Sequence, residues 1–339
     1  MRYSNQWMSA DVIHISTPAN NVRLIQFLPE KSLHFTPGAH IDVRVYINGE
    51  PYTRSYSLVG THDPARPFTI AVKKLDDSRG GSDYMWSLKI GAKLTVSQPK
   101  NHFEMTYGRD EYLLIAGGIG ITPIVGMAEE LNRRDANFRL LYAGSSQDAM
   151  PFVDDLHQLC GDRLSLHISD EGTRLNIAST ISAMSQGTQV YVCGPIRMLD
   201  DVRQVWQDLS LPAGDLRYET FGTTGRYATQ AFDVHLPRFD KTITVSKNQT
   251  LLDALNSNGI EVLSDCERGE CGLCTVFILG TTGTVDHRDM FFSEEQKAEN
   301  AKLCACVSRV VNGDITIDTS YRGTDSHPIP PEFAARTPQ

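Results

Sequence analysis

The chain has 339 residues, too many for one small core, so two or three domains of roughly 100 to 150 residues are expected. Its 40% hydrophobic and 22% charged residues, without repeats or low-complexity tracts, are typical of a globular rather than a disordered protein. The formal net charge of -9 and the scattered lysines and arginines argue against a nucleic-acid partner. The N-terminus has no basic segment leading into an apolar run, so the sequence predicts no export signal and a cytoplasmic location.

Short strands broken by glycine and proline make up the first section, residues 1–108. Apolar and polar residues alternate at 41–45 and again at 68–72, a pattern typical of strands with one buried face. This section is therefore predicted to form an antiparallel barrel or sandwich.

Two segments of the first section carry groups suited to a flavin phosphate. The first follows an apolar strand and comprises Arg54, Ser55, Tyr56 and Ser57. A guanidinium suits a phosphate, a tyrosine ring can pack on an isoalloxazine, and a serine can meet the flavin edge. The alternative interpretation is an ordinary half-exposed barrel face. The second segment offers small residues whose amides can converge on a phosphate, namely Arg79, Gly80, Gly81 and Ser82.

Strands alternate with helical stretches in the second section, residues 109–221. This alternation predicts a parallel sheet covered on both faces, which binds ligands at the carboxyl ends of its strands. The uncharged run at 112–128 is at the short limit of a membrane span. Its glycines and Pro123 favour a strand, a turn and a helix start instead, so no membrane contact is expected.

A glycine-rich turn ends the first strand of this section and opens its first helix. It comprises Gly117, Gly118, Gly120, Thr122 and Pro123, and its amides can accept a pyrophosphate. The turn departs from G-x-G-x-x-G because Pro123 takes the last glycine position, so alone it is weak evidence. Residues 144–147, after the next strand, contain no arginine for a 2′-phosphate, which favours NADH over NADPH.

Two short segments and a linker complete this part of the chain. Cys193, Gly194 and Pro195 end a later strand, and residues 219–221, Glu-Thr-Phe, close the section. Taken alone, Cys193 fits a small buried hydrophobe and Phe221 a core aromatic. Residues 222–231 have little apolar content and are predicted to be an interdomain linker.

The third section, residues 232–322, contains a cysteine cluster. Cys266, Cys271 and Cys274 have the C-x4-C-x2-C spacing of a plant-type 2Fe-2S site. Gly269 and Gly272 lie between them and permit the tight loop that such ligands require. A short helix is expected from about 250 to 257, and residues 323–339, with four prolines, are predicted to form a tail.

A fourth ligand must come from farther along the chain, where Cys304 and Cys306 both qualify. A zinc site is the alternative to the cluster. Zinc ribbons usually pair two C-x2-C knuckles, whereas here the first pair is spaced by four residues. The spacing therefore favours iron and sulfide.

These motifs, in this order, resemble one family. Residues 54–57 match the R-x-Y-S motif of the ferredoxin reductase superfamily, and residues 117–123 match its G-G-x-G-x-T-P turn. Residues 193–195 and 219–221 resemble its segments beside the nicotinamide and the flavin. Residues 79–82, together with Ala71, Val72 and Lys73, resemble the FMN-binding segment of the phthalate dioxygenase reductase family. The resemblance extends from about residue 9 to 321.

The resemblance implies a multidomain fold: an antiparallel β-barrel flavin domain, an α/β parallel-sheet nucleotide domain and a C-terminal α+β ferredoxin domain of the β-grasp type. It implies FMN rather than FAD, and it favours Cys306 over Cys304 because residues 306–309, Cys-Val-Ser-Arg, resemble the segment that supplies the last ligand. Thr122 and Cys193 are expected to frame the hydride path, Glu219 to tune the local charge and Phe221 to lie near the flavin.

The activity implied is that of a monomeric reductase that passes electrons from NADH through FMN and a 2Fe-2S cluster to a terminal Rieske-type oxygenase in a transient complex. The oxygenase would be of the aromatic acid dioxygenase or O-demethylase type. One alternative is a reductase for another acceptor, such as a cytochrome P450 or a ferredoxin. A redox-sensing module is a second alternative, which the complete hydride site disfavours because sensing needs no nicotinamide.

Overall fold

The computed structural model of the protein describes residues 6–31, 33–75, 78, 80–221 and 227–319. Contacts divide the chain into two units, Met1–Glu219 and Thr220–Gln339. Arg79, residues 222–226 of the expected linker and the tail at 323–339 lie outside the described residues. The bounds of the three sections stay predictions.

An antiparallel sheet of six strands forms the first part of unit 1, in the order β4-β3-β6-β1-β2-β5. Its two edge strands are joined beyond β4, where Leu58 bridges Ile70 and the Val59 N–H donates to the Thr69 carbonyl at 2.9 Å. The sheet therefore closes on itself, as the predicted barrel requires. The elements are β1 (Trp7–Ala19), β2 (Val22–Pro29), β3 (His40–Ile47), β4 (Glu50–Ser57), β5 (Phe68–Lys73), α1 (Gly81–Ser87) and β6 (Lys93–Ser97).

A parallel sheet with the order β11-β10-β7-β8-β9 forms the rest of unit 1. The predicted alternation of strands and helices is confirmed. The order reverses between β7 and β10, so the carboxyl ends of these two strands mark the place where such sheets bind ligands. The elements are β7 (Tyr112–Gly117), α2 (Ile121–Arg133), β8 (Phe138–Gly144), α3 (Val153–Cys160), β9 (Leu164–Ile168), α4 (Ile177–Ser182), β10 (Gln189–Cys193), α5 (Ile196–Asp208) and β11 (Leu216–Glu219).

Unit 2 has a mixed sheet in the order β13-β12-β18-β14-β16, a separate pair β15-β17 and two helices. The expected helix at about 250–257 is α6, which begins after a capping box in which Thr250 and Asp253 bond each other's backbone N–H. Its buried leucines join the core of the sheet. The elements are β12 (Phe232–Leu236), β13 (Lys241–Val245), α6 (Leu251–Ser257), β14 (Thr275–Thr281), β15 (Thr284–Asp286), α7 (Glu294–Glu299), β16 (Lys302–Cys304), β17 (Arg309–Val311) and β18 (Ile315–Asp318).

Throughout the described ranges, every helix is too short or too polar to cross a membrane. The uncharged run at 112–128 is divided between β7, a 3-10 turn at Gly118–Gly120 and the start of α2, as its glycines predicted.

Candidate redox-cofactor sites

Arg54 and the glycine pair of the second flavin segment lie against each other. A Cβ atom on Gly81 would stand 2.9 Å from Arg54 Nε and 3.0 Å from its Cγ, so a larger residue would displace the arginine side chain. Gly80 has φ +86 and precedes α1, a conformation that favours glycine. A guanidinium folded over small residues is a suitable cradle for a phosphate. The structure thus brings together two segments that are about 25 residues apart.

The side chains of residues 54–57 point to different places. The Ser55 hydroxyl donates to Asp42 Oδ1 on the neighbouring strand at 2.6 Å, so it is engaged within the barrel. Tyr56 is half-buried, and burial raises the pKa of its phenol, which keeps the ring neutral. Ser57 is buried, and its hydroxyl donates at 3.2 Å to the carboxylate of Glu219 in the nucleotide domain. Tyr56 is the member suited to packing on a flavin ring.

The segment from β5 to α1 is held by hydrogen bonds of its own. Ala71 and Val72 are buried, Lys73 is exposed, and the Val72 carbonyl accepts from the Trp86 indole N–H at 3.1 Å. Ser82 is buried, and its hydroxyl contacts the Ser78 hydroxyl at 2.9 Å. These contacts fix the start of α1 against β5.

The two loops at the switch point of the parallel sheet touch each other closely. A Cβ atom on Gly120 would overlap the Cys193 carbonyl and lie 2.8 Å from Gly194 N, and one on Gly117 would lie 2.5 Å from Pro195 Cδ. Gly118 has φ +53, in the left-handed region. Glycines at these positions therefore allow the loops after β7 and β10 to approach each other closely. They would also let a pyrophosphate approach the backbone.

The predicted hydride-site residues lie around these loops. Thr122 is buried in the first turn of α2, and its hydroxyl donates to the Ile119 carbonyl at 3.0 Å. Cys193 is buried at the end of β10, in register with Glu219 at the end of β11. The Glu219 carboxylate accepts from Ser57. A carboxyl group of the nucleotide domain thus meets the flavin segment.

Sequence reasoning missed a second junction between barrel and sheet. Glu129 on α2 accepts from the Thr61 N–H at 2.7 Å and from its hydroxyl at 2.9 Å. Gly126, one turn earlier, has no room for a Cβ atom because the Gly60 carbonyl lies against it. Neither residue belongs to a motif, and the signal available was only a glycine within an otherwise helical pattern.

Backbone amides surround the first sulfur of the cysteine loop. The N–H groups of Arg268, Glu270 and Cys271 each point at Cys266 Sγ at 3.4 Å. Such donors stabilise a thiolate and tune a cluster bound to it. Burial raises the pKa of the Cys266 thiol to about 11, so a buried sulfur here needs a proton or a metal.

The remaining sulfurs complete two pairs. Cys271 is in hydrogen-bond contact with Cys266, and Cys274 Sγ lies 3.1 Å from Cys306 Sγ. Contacts with Cys304 and Cys306 lower the pKa of Cys274 to about 3, which leaves it ready to ligate. No three histidine, cysteine or acidic side chains of the described residues converge on a point that one metal ion could occupy. A 2Fe-2S cluster needs two pairs of thiolates rather than a trio, and the sulfurs fit that requirement.

The cysteine loop is also anchored to the first residues of unit 2. The Thr220 N–H donates to Glu270 Oε1 at 2.6 Å, and its hydroxyl donates to the Arg268 carbonyl at 2.9 Å. Phe221, expected near the flavin, follows directly and is half-buried. No sequence motif indicates that Thr220 holds this loop.

Three family models match consecutive parts of the chain. Residues 10–105 match the oxidoreductase FAD-binding domain, residues 114–204 the oxidoreductase NAD-binding domain and residues 234–311 the 2Fe-2S iron-sulfur cluster binding domain. The class defined by fold and sites is that of modular oxidoreductases that combine a flavin, NAD(H) and a 2Fe-2S cluster.

Three relatives narrow this class. The carnitine monooxygenase reductase subunit of Escherichia coli K12 is 33% identical over 84% of this chain and 88% of that protein. The solved structure of phthalate dioxygenase reductase superposes with a TM-score of 0.76 at 28% identity, over 92% of this chain and 98% of that one. An intact type IV self-sufficient cytochrome P450 monooxygenase is 34% identical with a TM-score of 0.65 over 92% of this chain, which spans only 41% of that protein. The chain belongs to the phthalate dioxygenase reductase family of oxygenase reductases.

Proposed function

We propose that the chain is the NADH-dependent reductase component of a Rieske-type oxygenase system of the aromatic acid dioxygenase or O-demethylase type. The observation that carries this is the presence of a flavin cradle, a switch-point nucleotide site and paired cluster thiols in one chain of this family. When bound, NADH supplies a hydride, the flavin divides its two electrons, and the cluster passes them singly. Because the cluster is the last of these electron carriers, it needs an electron acceptor outside the chain.

Each set of residues has a distinct task in this proposal. Arg54, with Gly80 and Gly81, binds the flavin phosphate, and Tyr56 packs on the ring. The glycine turn and residues 193–195 hold the pyrophosphate and the nicotinamide. Because Ser57 donates to Glu219 at 3.2 Å, the carboxylate stays fixed beside the flavin segment and favours positive charge there.

The flavin is FMN in this proposal. The Arg54 guanidinium lies on Gly81, where it suits a terminal phosphate monoester, whose two negative charges attract an arginine more strongly than a diester. Flavin released by heat and run against standards should migrate as FMN. Migration as FAD would contradict the assignment without affecting the rest of the function.

The electron acceptor docks on an acidic surface of unit 2. Within residues 261–273 and 284–300, which are fully described, the basic side chains Arg268, Arg288 and Lys297 are buried. Two apolar side chains, Leu273 at 51% and Phe291 at 45% exposure, lie beside the cysteine loop. The exposed charged residues of both stretches are acidic: Glu261, Asp265, Glu267, Glu294, Glu295 and Glu299. Such a rim steers a partner with a basic surface into a transient, salt-sensitive complex with a monomeric reductase.

Turnover with a purified Rieske oxygenase tests the function. The reconstituted protein should support NADH-dependent product formation, and the rate should fall as salt rises from 50 to about 500 mM because the Debye length shrinks. NADPH should give a lower kcat/KM than NADH. The Cys274→Ser variant is the matched control, since it should retain flavin reduction by NADH but lose transfer to the oxygenase. A protein that oxidises NADH yet reduces no oxygenase would contradict the proposal.

The similarity to the reductase region of a self-sufficient P450 favours a second candidate, in which the acceptor is a haem enzyme. The two candidates differ only in the acceptor. A parallel assay with a P450 as acceptor distinguishes them, because only the physiological acceptor should give product with close coupling to NADH oxidation.

A further inference from the structure

A buried carboxylate lies behind the cysteine loop. Asp289 is fully buried, and a Cβ atom on Gly269 of the loop would stand 2.9 Å from Asp289 Cα and 3.0 Å from its Cβ. The next residue, Met290, donates its N–H to the Gly269 carbonyl at 2.9 Å. Asp289 is therefore packed directly on the backbone between Cys266 and Cys271.

The partners of this carboxylate are mainly neutral. Asp289 Oδ2 accepts from the Phe292 N–H at 3.0 Å, and Oδ1 accepts from the Ser308 hydroxyl at 3.3 Å. The nearest basic nitrogen is His287 Nδ1 at 3.7 Å, which is beyond hydrogen-bond length and carries charge only when protonated. Ser308 lies two residues after Cys306, so Asp289 also contacts the segment that carries this cysteine.

Two other buried carboxylates of unit 2 are paired differently. Asp286 lies 2.6 Å from the Arg288 guanidinium, and Asp318 accepts two hydrogen bonds from Arg238 at 2.8 and 2.9 Å. Arginine partners cancel most of the field of those two groups. The charge of Asp289 is opposed by these hydrogen-bond dipoles, by the more distant charge of Lys297 and by His287 when it is protonated, in an interior where screening by water is weak.

Asp289 is ionised in this environment. Burial alone raises its pKa, but His287, the Phe292 N–H and the charge of Lys297 outweigh burial and leave the pKa below its ordinary value of 3.8. Its charge lies against the loop that carries the cysteines, since Asp289 packs on Gly269, midway between Cys266 and Cys271.

We propose that Asp289 lowers the reduction potential of the 2Fe-2S cluster by opposing the addition of an electron to it. The inference rests on the cluster site of the proposed function. The reaction concerned adds one electron to the cluster, supplied by the flavin or by a chemical reductant, and no bond to Asp289 forms or breaks. Asp289 is thus a positioning and tuning residue, with its charge held at a fixed place behind the loop.

The test is an EPR-monitored potentiometric titration of the whole protein with dithionite. Asp289→Asn should shift the one-electron equilibrium at least tenfold toward the reduced cluster, which is about 59 mV upward. Asp265→Asn is the charge control: Asp265 adjoins Cys266 but is exposed, so water screens its charge and the potential should move much less. Ser308→Ala is the structural control, because it removes a hydrogen bond but keeps the charge, and the potential should stay or fall.

Several outcomes would overturn the inference. An unchanged or lower potential in Asp289→Asn would do so, and so would an equal upward shift in Ser308→Ala, which would indicate loosened packing. If Asp289→Asn does not retain the cluster, Asp289→Ser replaces it, and loss of the cluster in both variants would show a purely structural role. A wild-type protein without a 2Fe-2S signal would instead refute the cluster site and, with it, the proposed function.

Discussion

Replacing Gly120 by alanine should disable the nucleotide site while leaving the flavin and the cluster in place. Gly120 has φ -63, which alanine adopts without strain, so the effect is steric. The new methyl would overlap the Cys193 carbonyl and lie 2.8 Å from Gly194 N, closer than the 3.0 Å that real Cβ atoms respect. Both obstacles are backbone, so the loops after β7 and β10 must separate by on the order of 1 Å. A misplacement of that size costs about 100-fold in rate.

A 100-fold loss corresponds to about 2.7 kcal/mol of transition-state stabilisation. Anaerobic stopped-flow measurement of flavin reduction by NADH gives the rate and the affinity directly. Gly214→Ala is the matched control, because no atom lies within 4 Å of its Cβ position, and it should behave as wild type. A Gly120→Ala protein with full flavin absorbance that reduces its flavin at the wild-type rate and binds NADH equally well would refute this steric effect.

Three further predictions concern other parts of the molecule. Cys306→Ser should lose the cluster and Cys304→Ser should retain it, as iron content and visible absorbance will show; the reverse result would exchange their roles. Glu129→Ala should lower the free energy of unfolding of unit 1 by about 1.5 to 3 kcal/mol, since it leaves the Thr61 N–H and hydroxyl without their charged acceptor. A hydrogen bond from Arg133 holds the pKa of Glu130 below its ordinary 4.5, so the stability lost in Glu130→Gln should be present above pH 4.5 and vanish as the pH falls through that lowered pKa. Urea unfolding of both proteins at several pH values checks this, and a difference that persists in acid would refute it.

Local pattern was sufficient for the order of domains, and it also predicts three cluster ligands. The spacing of Cys266, Cys271 and Cys274 specifies a loop chemistry by itself, and alternating strands and helices specify a parallel sheet. Both signals depend on neighbours in sequence. The sequence also placed the glycine turn after β7, but it did not predict that Gly120 makes room for the Cys193 carbonyl.

Contacts between distant segments were not accessible from the sequence. The motif containing Ser55 predicts a flavin contact, but the motif did not reveal that strand register brings its hydroxyl to Asp42, a charged residue within an apolar alternation. Asp289 belongs to no sequence motif. Its proposed role follows only from its contact with Gly269 of the cysteine loop, which forms when the chain folds. Register and loop closure are properties of the folded chain, so a single sequence does not reveal them.

The hydrogen bond between Ser57 and Glu219 joins residues 162 positions apart in the chain. At a synthesis rate of about 5 to 20 residues per second, Glu219 leaves the ribosome roughly 8 to 30 s after Ser57. Barrel strands form far faster than that. The nascent flavin domain therefore spends many seconds with the Ser57 hydroxyl facing water, and its site is completed only when the last strand of the nucleotide domain is added.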